Sequence, residues 1–374
     1  MTRFLHSADW QLGMTRHFLG PESQARFGAA RIEAIRSIGS LARREGCSFV
    51  VVCGDVFETN QVARQVVVRA LDAMAATPDV CFYLLPGNHD PLDASSVFRS
   101  PTFRGHQPAN VIVLDGPVPL EPGVELIGAP WSSKRPLADL VAEATRALPA
   151  DGTVRIVAGH GAVDTFSPEA TNPALINVAS LESSIAAGRI HFVALGDRHS
   201  TTRVGGSGRI WYSGAPEPTD YDETDPGNVL VVELGDRGLA VERHRVGTWR
   251  FLAEQFDLAG ADDCRRLELY LEALADKART IVKLALVGHL SVADKVALDA
   301  VLDHHTDLLA ALEPWGSRND LVVLPDAEDS EALGLSGFAR EAFDDLRNLA
   351  AGAEPTAVSA RDALGLLYRL GSTR

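Results

Sequence analysis

Cysteine is scarce in this chain and badly spaced for cross-linking. The four residues, Cys47, Cys53, Cys81 and Cys264, make no C-x-x-C pair, so no disulfide framework is expected. Two of them lie inside apolar runs, where a reduced cysteine behaves as a small hydrophobe. Long apolar runs are also missing. None approaches the ~20 residues a membrane span needs, and the opening Met1-Thr2-Arg3-Phe4 leads to His6 and Asp9 instead of an apolar signal core. A cytoplasmic protein is expected. Positive charge is short as well: the formal net charge is −15, which leaves no sequence-wide electrostatic footprint for nucleic acid. That argues against an autonomous DNA-binding module. It leaves room for a nuclease whose cations are metal ions, or whose DNA surface is completed by a second chain. No internal repeat and no low-complexity tract interrupts the sequence. With 374 residues, 46% of them hydrophobic, there is enough chain for two domains, or for one large domain with an appendage.

What the chain does have is a recurring pattern. Short apolar runs stop abruptly in polar residues able to bind a cation. Residues 81–85 run into Pro86-Gly87-Asn88-His89-Asp90, Phe4-Leu5 leads to Asp9-Trp10-Gln11, and residues 49–53 lead to Gly54-Asp55. Ile156-Val157 leads to Gly159-His160, and residues 192–195 lead to Gly196-Asp197-Arg198-His199. A run this short, bounded by glycine or proline, reads as a buried strand ending in a loop, and loops at strand ends are where chemistry collects.

Between these runs, residues 23–45 and 61–76 have the spacing of amphipathic helices. Alternation of this kind predicts a mixed or parallel sheet with covering helices. Further on, 111–114 and 124–127 read as short strands, 137–148 and 178–187 as helices, and 209–213 and 229–234 as strands. Gly205-Gly206-Ser207-Gly208 reads as a hairpin turn, since no helix start follows it. Beyond about residue 247 the pattern of ligand-bearing loops stops. There 263–279, 292–312, 338–349 and 360–370 read as helices and 281–287 as a strand, a smaller α/β unit with a helical tail.

Asp9, Gln11, Asp55, Asn88, His160, Asp197 and His199 offer oxygen or imidazole and no thiolate. That set suits Mn, Mg or Fe better than a structural zinc. Asp9 and Gln11 are two residues apart, as are Asp197 and His199, so in extended backbone each pair can address one centre. Seven ligands are too many for one ion with an open position but enough for two ions sharing a carboxylate. Taken singly, each residue has an ordinary reading: Asp9 as a helix cap, Gly-Asp or Gly-His as a turn. His6, His191 and His244 sit in strand-like runs and read as structural. Glu58 reads equally as a loop cap or as a support for the ligands.

The ordered blocks Asp9-Trp10-Gln11, Gly54-Asp55, Gly87 to Asp90, Gly159-His160 and Gly196 to His199 resemble the D-x-H, G-D, G-N-H-D, G-H and G-H-x-H blocks of the calcineurin-like metallophosphoesterases. Two strings, Asp9-Trp10-Gln11-Leu12-Gly13 and Tyr212-Ser213-Gly214-Ala215-Pro216, are similar to the SbcD-type nuclease subunit. The resemblance covers roughly residues 1–234. It implies an α/β fold, a four-layer αββα sandwich over 1–246, with a smaller α/β capping domain over 247–333 and C-terminal helices over 334–374 for partner docking.

The resemblance further implies two divalent ions, Mn first, with Mg or Fe as alternatives. Asp9, Gln11, Asp55 and His199 would hold the first ion, Asp55 would bridge, and Asn88, His160 and Asp197 would complete the second. His89 would protonate the leaving oxygen or stabilise the transition state, oriented by Asp90, while a metal-held hydroxide attacks the phosphodiester. Two departures stand out: Gln11 replaces the usual histidine, and Asp197 replaces the first histidine of G-H-x-H. Both harden the ligand set toward Mn or Mg. The implied partners are DNA and an SbcC-like SMC-type ATPase, with a homodimer left open. A phosphoesterase for small molecules or nucleotides, mildly favoured by the acidic balance, and a catalytically impaired scaffold are the competing readings.

Overall fold

The computed structural model describes residues 1–167, 171–235, 238–324 and 336–350, with six further residues between 356 and 364. By internal contacts it divides into two compact units, one of Met1–His17 and Gln24–Trp249, the other of Phe18–Ser23 and the described residues from Arg250 onward.

In chain order the first unit begins with β1 (Thr2–Ser7), α1 (Pro21–Arg44), β2 (Phe49–Cys53), α2 (Arg64–Ala75), β3 (Cys81–Leu85), α3 (Pro101–His106), β4 (Val111–Val113), β5 (Pro117–Glu121) and β6 (Val124–Gly128). It continues with α4 (Leu140–Thr145), β7 (Val154–His160), α5 (Val178–Ala186), β8 (Phe192–Gly196), β9 (Thr202–Val204), β10 (Ile210–Tyr212), β11 (Asn228–Gly235) and β12 (Gly238–Arg245). Two six-stranded sheets result, ordered β12-β11-β1-β2-β3-β4 and β5-β6-β7-β8-β10-β9. The inner strands pair mostly in parallel; β12 and β11 at one edge of the first sheet, and β5 and β9 at the two edges of the second, pair antiparallel, while β4 closes the other edge of the first sheet in parallel.

Period-two side-chain alternation explains the stacking. In β2, Phe49, Val51 and Cys53 face the same apolar layer as Phe192 and Ala194 of β8, which lies between the sheets. Val50 and Val52 point the other way, into a layer shared with Ile35 and Ile38 of α1 and Leu71 of α2. Val193 and Leu195 of β8 face Val141 of α4 and Leu181 of α5. The order is therefore helix, sheet, sheet, helix, the expected αββα sandwich. His6 is wholly buried in β1 and reaches the Leu195 carbonyl across the sheets at 3.1 Å. Burial pushes its pKa down to about 3, so it is a neutral structural residue.

Some elements differ from the sequence reading. The 137–148 helix shortens to α4, because Asp139 caps the Ala142 N–H at 2.9 Å and starts the helix there. β5 and β12 have no counterpart in that reading. β5 is an exposed edge strand carrying Pro117 and Pro119, and β12 is an edge strand with charged residues exposed, so neither shows a buried strand's apolar run. The Gly205 to Gly208 segment joins β9 to β10 as the expected hairpin.

The second unit comprises β13 (Arg250–Leu258), α6 (Ala261–Ala273), β14 (Thr280–Ser291), α7 (Val292–Leu308), β15 (Ala311–Pro314), β16 (Asp320–Leu324) and α8 (Phe338–Ala350). Among the described residues, its other strands pair in parallel with β14. Leu267 and Leu271 of α6 and Leu298 of α7 pack on Val282 and Leu284. The 292–312 helix stops at Leu308 because Leu309 and Ala310 are buried in the turn into β15, and β13 is a strand the sequence reading lacks. The helix read over 360–370 falls largely outside the described residues.

The two sheets approach closely at Gly196. A Cβ there would lie 1.8 Å from the Cys53 carbonyl oxygen. Gly196→Ala is therefore expected to destabilise the fold by about 1–3 kcal/mol through overpacking. Gly105→Ala, in α3 where a Cβ meets nothing within 4 Å, serves as the control with room for the added methyl, and is expected to be neutral or slightly stabilising. Urea unfolding of the two variants checks this; equal midpoints would contradict the close approach.

Candidate metal centre

The polar residues flagged in the sequence leave the C-terminal ends of β1, β2, β3, β7 and β8, the end of an α/β sheet where ligands bind. The first two loops are laced together: Asp9 N–H donates to the Gly54 carbonyl at 3.1 Å and Gln11 N–H to the Asp55 carbonyl at 2.8 Å. Asp9, Gln11, Asp55 and Asp197 all adopt positive φ, at 54°, 45°, 51° and 99°. Such backbone costs roughly 1–3 kcal/mol per residue and persists only where the surroundings over-determine it. Gly54 shares the positive φ, at 86°, and also has no room for a side chain, since a Cβ on it would lie 2.1 Å from the His160 ring.

Asp9, Asp55 and His160, all buried, each offer a ligand atom within 4.8 Å of the others. The His160 Nδ1 lies 2.8 Å from the Cys53 carbonyl, which can only accept, so Nδ1 carries a proton and Nε2 faces the cluster. Around Nε2 stand Asn88 Oδ1 at 2.6 Å, Asp55 Oδ1 at 3.4 Å and Asp197 Oδ1 at 3.9 Å. These are acceptors converging on one point, an arrangement that asks for a cation.

On the other side, His199 Nε2 is 3.2 Å from the Gln11 amide nitrogen. His199 Nδ1 is held by Thr219 Oγ1 at 2.6 Å and Glu223 Oε1 at 2.9 Å. The Gln11 Oε1 is buried without a hydrogen-bond partner among the described residues. An orphaned amide oxygen beside buried carboxylates and imidazoles fits a hard divalent ion. Asp9, Asp55, Asn88, His160 and Asp197 thus converge on one cluster, and Gln11 and His199 pair with each other, His199 lying near enough to feel the charge of Asp9.

The catalytic candidates are placed differently from each other. His89 is partly exposed at the rim, its Nε2 4.0 Å from Asp55 Oδ2. Its Nδ1 donates to the Glu58 carbonyl at 2.9 Å, and Glu58 Oε1 lies 4.0 Å away. The orienting contact expected from Asp90 is made by Glu58. Asp90 is fully buried and accepts from the backbone N–H groups of Gly87 and Phe57 at 2.8 and 2.9 Å, so it shapes the loop that presents Asn88 and His89.

Sequence reasoning missed Glu223, Thr219 and Arg31. Arg31 is buried in α1, stacked 4.5 Å over Phe27, and donates to the carbonyls of Trp10 at 3.2 Å and Pro218 at 2.9 Å. It ties the loop of Asp9 and Gln11 to the loop whose Thr219 holds His199. Only the nearness of Glu217 to Thr219 to the Tyr212 to Pro216 string hinted at this segment.

Burial pushes the Asp9 carboxyl up to about 7 against the pull of His199 and His160. Burial opposes charge on His199 too, but the Glu223 hydrogen bond and the nearby carboxylates win and raise it to about 9. His160 is driven well above its ordinary value in the same way, burial being outweighed first by Asp55. A raised carboxyl binds its proton more tightly in the folded chain, so stability falls as pH climbs toward 7. The raised His199 gives stability that is complete below 6.5 and lost through 9. The metal-free protein is therefore expected to melt at progressively lower temperature from about pH 6.5 to 9.5, and added Mn is expected to raise the midpoint more at the alkaline end, where no proton competes. Calorimetry across that range checks this; a flat profile would contradict the cluster's electrostatics.

A family model described as "Calcineurin-like phosphoesterase" matches residues 2–231. Among curated proteins, none matches the chain. Solved structures similar to it include TT1561 of Thermus thermophilus, at 12% identity and a TM-score of 0.43, covering 66% of this chain and 99% of that one. A dimetal phosphatase from Danio rerio is similar at 14% identity and TM-score 0.39, covering 66% and 96%. A purple acid phosphatase from yellow lupin (Lupinus luteus) seeds is similar at 10% identity and TM-score 0.39, covering 66% and 51%. With its four-layer sandwich, its cluster of acceptors at the strand ends and the match over most of its first unit, the chain belongs to the calcineurin-like phosphoesterase family.

Proposed function

We propose that the chain is a two-metal-dependent phosphodiesterase acting on DNA, a nuclease of the SbcD type that works beside an SbcC-like ATPase. The observation that carries the phosphodiesterase reading is the convergence of acceptors around His160 Nε2 next to the partly exposed His89. Asp9, Gln11, Asp55 and His199 would hold one divalent ion, and Asn88, His160 and Asp197 the other, with Asp55 shared. When bound, such a pair supplies positive charge for a phosphoryl oxygen and lowers the pKa of a water. The DNA specificity is supported by the strings 9–13 and 212–216 and by the additional α/β unit after residue 249.

The chain's own residues do the rest. With Nδ1 donating to the Glu58 carbonyl, His89 presents Nε2 toward the cluster. As imidazolium it can hydrogen-bond the phosphate and hand a proton to the departing oxygen, which is leaving-group acid catalysis. Thr219 and Glu223 keep the His199 ring oriented, and Asp90 keeps the Gly87 turn closed. The acidic balance keeps one second reading in view, a phosphoesterase for small molecules or nucleotides.

With Mn, purified protein is expected to cleave labelled single- or double-stranded DNA and bis-p-nitrophenyl phosphate. His89→Ala should lower kcat by roughly 10²–10⁴-fold with metal still bound, and Asp55→Ala should lose both metal and activity. Cleavage of the small ester alone would remove the nuclease reading, and no cleavage with or without the partner ATPase would remove the enzymatic one. Replacing Mn by Zn is expected to lower activity, because Gln11 and Asp197 make the donor set harder than an all-histidine one. Equal rates in the two metals would contradict that.

A further inference from the structure

A cavity of about 230 Å³ opens beside the cluster, lined by Val163, Phe166, Asp197, Arg198 and Tyr212 among others. It is smaller than the ~300–1,000 Å³ of a drug-sized site, and so suits a single ring system. Asp197 is both a wall of this cavity and one of the acceptors around His160, so a group seated there lies next to the reacting phosphate.

The rest of the cavity has a particular chemistry. Phe166 is 47% exposed, a large apolar ring facing solvent beside a polar centre. It is presented by a turn: its N–H and that of Ser167 both bond the Val163 carbonyl at 3.2 Å, and Val163 is buried and bridged to Ile176. The Arg198 guanidinium lies 5.2 Å over the Phe166 ring, and its Nε donates to Thr202 Oγ1 at 3.0 Å. Tyr212 is buried, with its hydroxyl donating to the Gly161 carbonyl at 2.8 Å, and it forms a fixed floor. An anchored aromatic face paired with a guanidinium plane is the arrangement on which nucleobases stack, because every base has a π-face and Arg adds cation–π attraction.

From this we infer that the Phe166–Arg198 pair is a nucleobase subsite, taking the base of the nucleoside that flanks the scissile phosphate. The inference rests on the phosphodiesterase reading and deepens it, since it gives the site a means of holding nucleic acid without a basic surface. A chain of net charge −15 would then engage its substrate by stacking and by metal-held phosphate, with few lysine and arginine contacts to the backbone.

The test is equilibrium binding, independent of turnover. Mn-supplemented full-length protein is titrated calorimetrically with deoxyadenosine 5′-monophosphate and with 2-deoxyribose 5-phosphate, which share the phosphate and sugar and differ in the base. The nucleotide is expected to bind about 5- to 150-fold more tightly, the value of one stacked base. Phe166→Ala should erase that difference and Phe166→Trp should keep it. The thermal midpoint of each variant confirms folding, which an exposed side chain leaves intact. Equal affinities in the wild type, no binding of either ligand, or a preference that survives Phe166→Ala would each overturn the subsite. Failure of the protein to cleave any phosphodiester would remove the catalytic reading and leave the binding difference to be judged by itself.

Discussion

Everything in the first unit depends on an unfavourable arrangement: three carboxylates, Asp9, Asp55 and Asp197, gathered about one buried imidazole. Left to themselves, these charges would repel and seek water, and in the metal-free chain they are compensated mainly by protons on His160, His199 and Asp9. Four of the contributing residues also sit in left-handed backbone. Strain and repulsion of this kind are retained where something outside the chain relieves them, and a divalent cation relieves both the excess negative charge and the orphaned acceptors.

The fold is what makes that arrangement tolerable. Two parallel-rich sheets, buried on both faces, aim five strand ends at one place. Contacts that cross between sheets, such as His6 to Leu195 and His160 to Cys53, fix how those ends meet. Outside the cluster a ring of buried polar contacts holds the loops. Arg31 gathers the carbonyls of Trp10 and Pro218, and Glu217 accepts from Thr248 and Trp249 N–H groups at 3.0 Å each. These groups touch no substrate, yet each limits how far a ligand-bearing loop can drift, which is how rigid surroundings convert strain into a preformed site.

Much of this was legible in the sequence, for physical reasons. Strands buried on both faces must be apolar throughout, so 49–53, 81–85 and 192–195 declare themselves, and chemistry follows at their ends because the sheets' interiors leave no room for it. The ligand set was readable because it uses short polar blocks after glycine. What escaped was whatever has no local signature. Edge strands β5 and β12 are exposed on one side and lack an apolar run. Strand β13 begins the second unit with mixed polarity and is visible only through its pairing with β14. Glu223 supports His199 from 24 residues away along the chain, and no spacing rule reaches that far. Asp90 stood in the motif next to His89 and so suggested a direct contact. The chain's turn sends its carboxylate inward to Gly87 and Phe57, and the ring falls to Glu58.

The central claim is that the converging acceptors hold two cations. Crystals of the intact chain grown with Mn, examined by anomalous scattering, address it most directly. Two peaks are expected roughly 3.5–4 Å apart, with Asp55 between them, His160 and Asn88 on one, and His199 and Asp9 on the other. Peaks elsewhere on the molecule, or none at these strand ends, would contradict it.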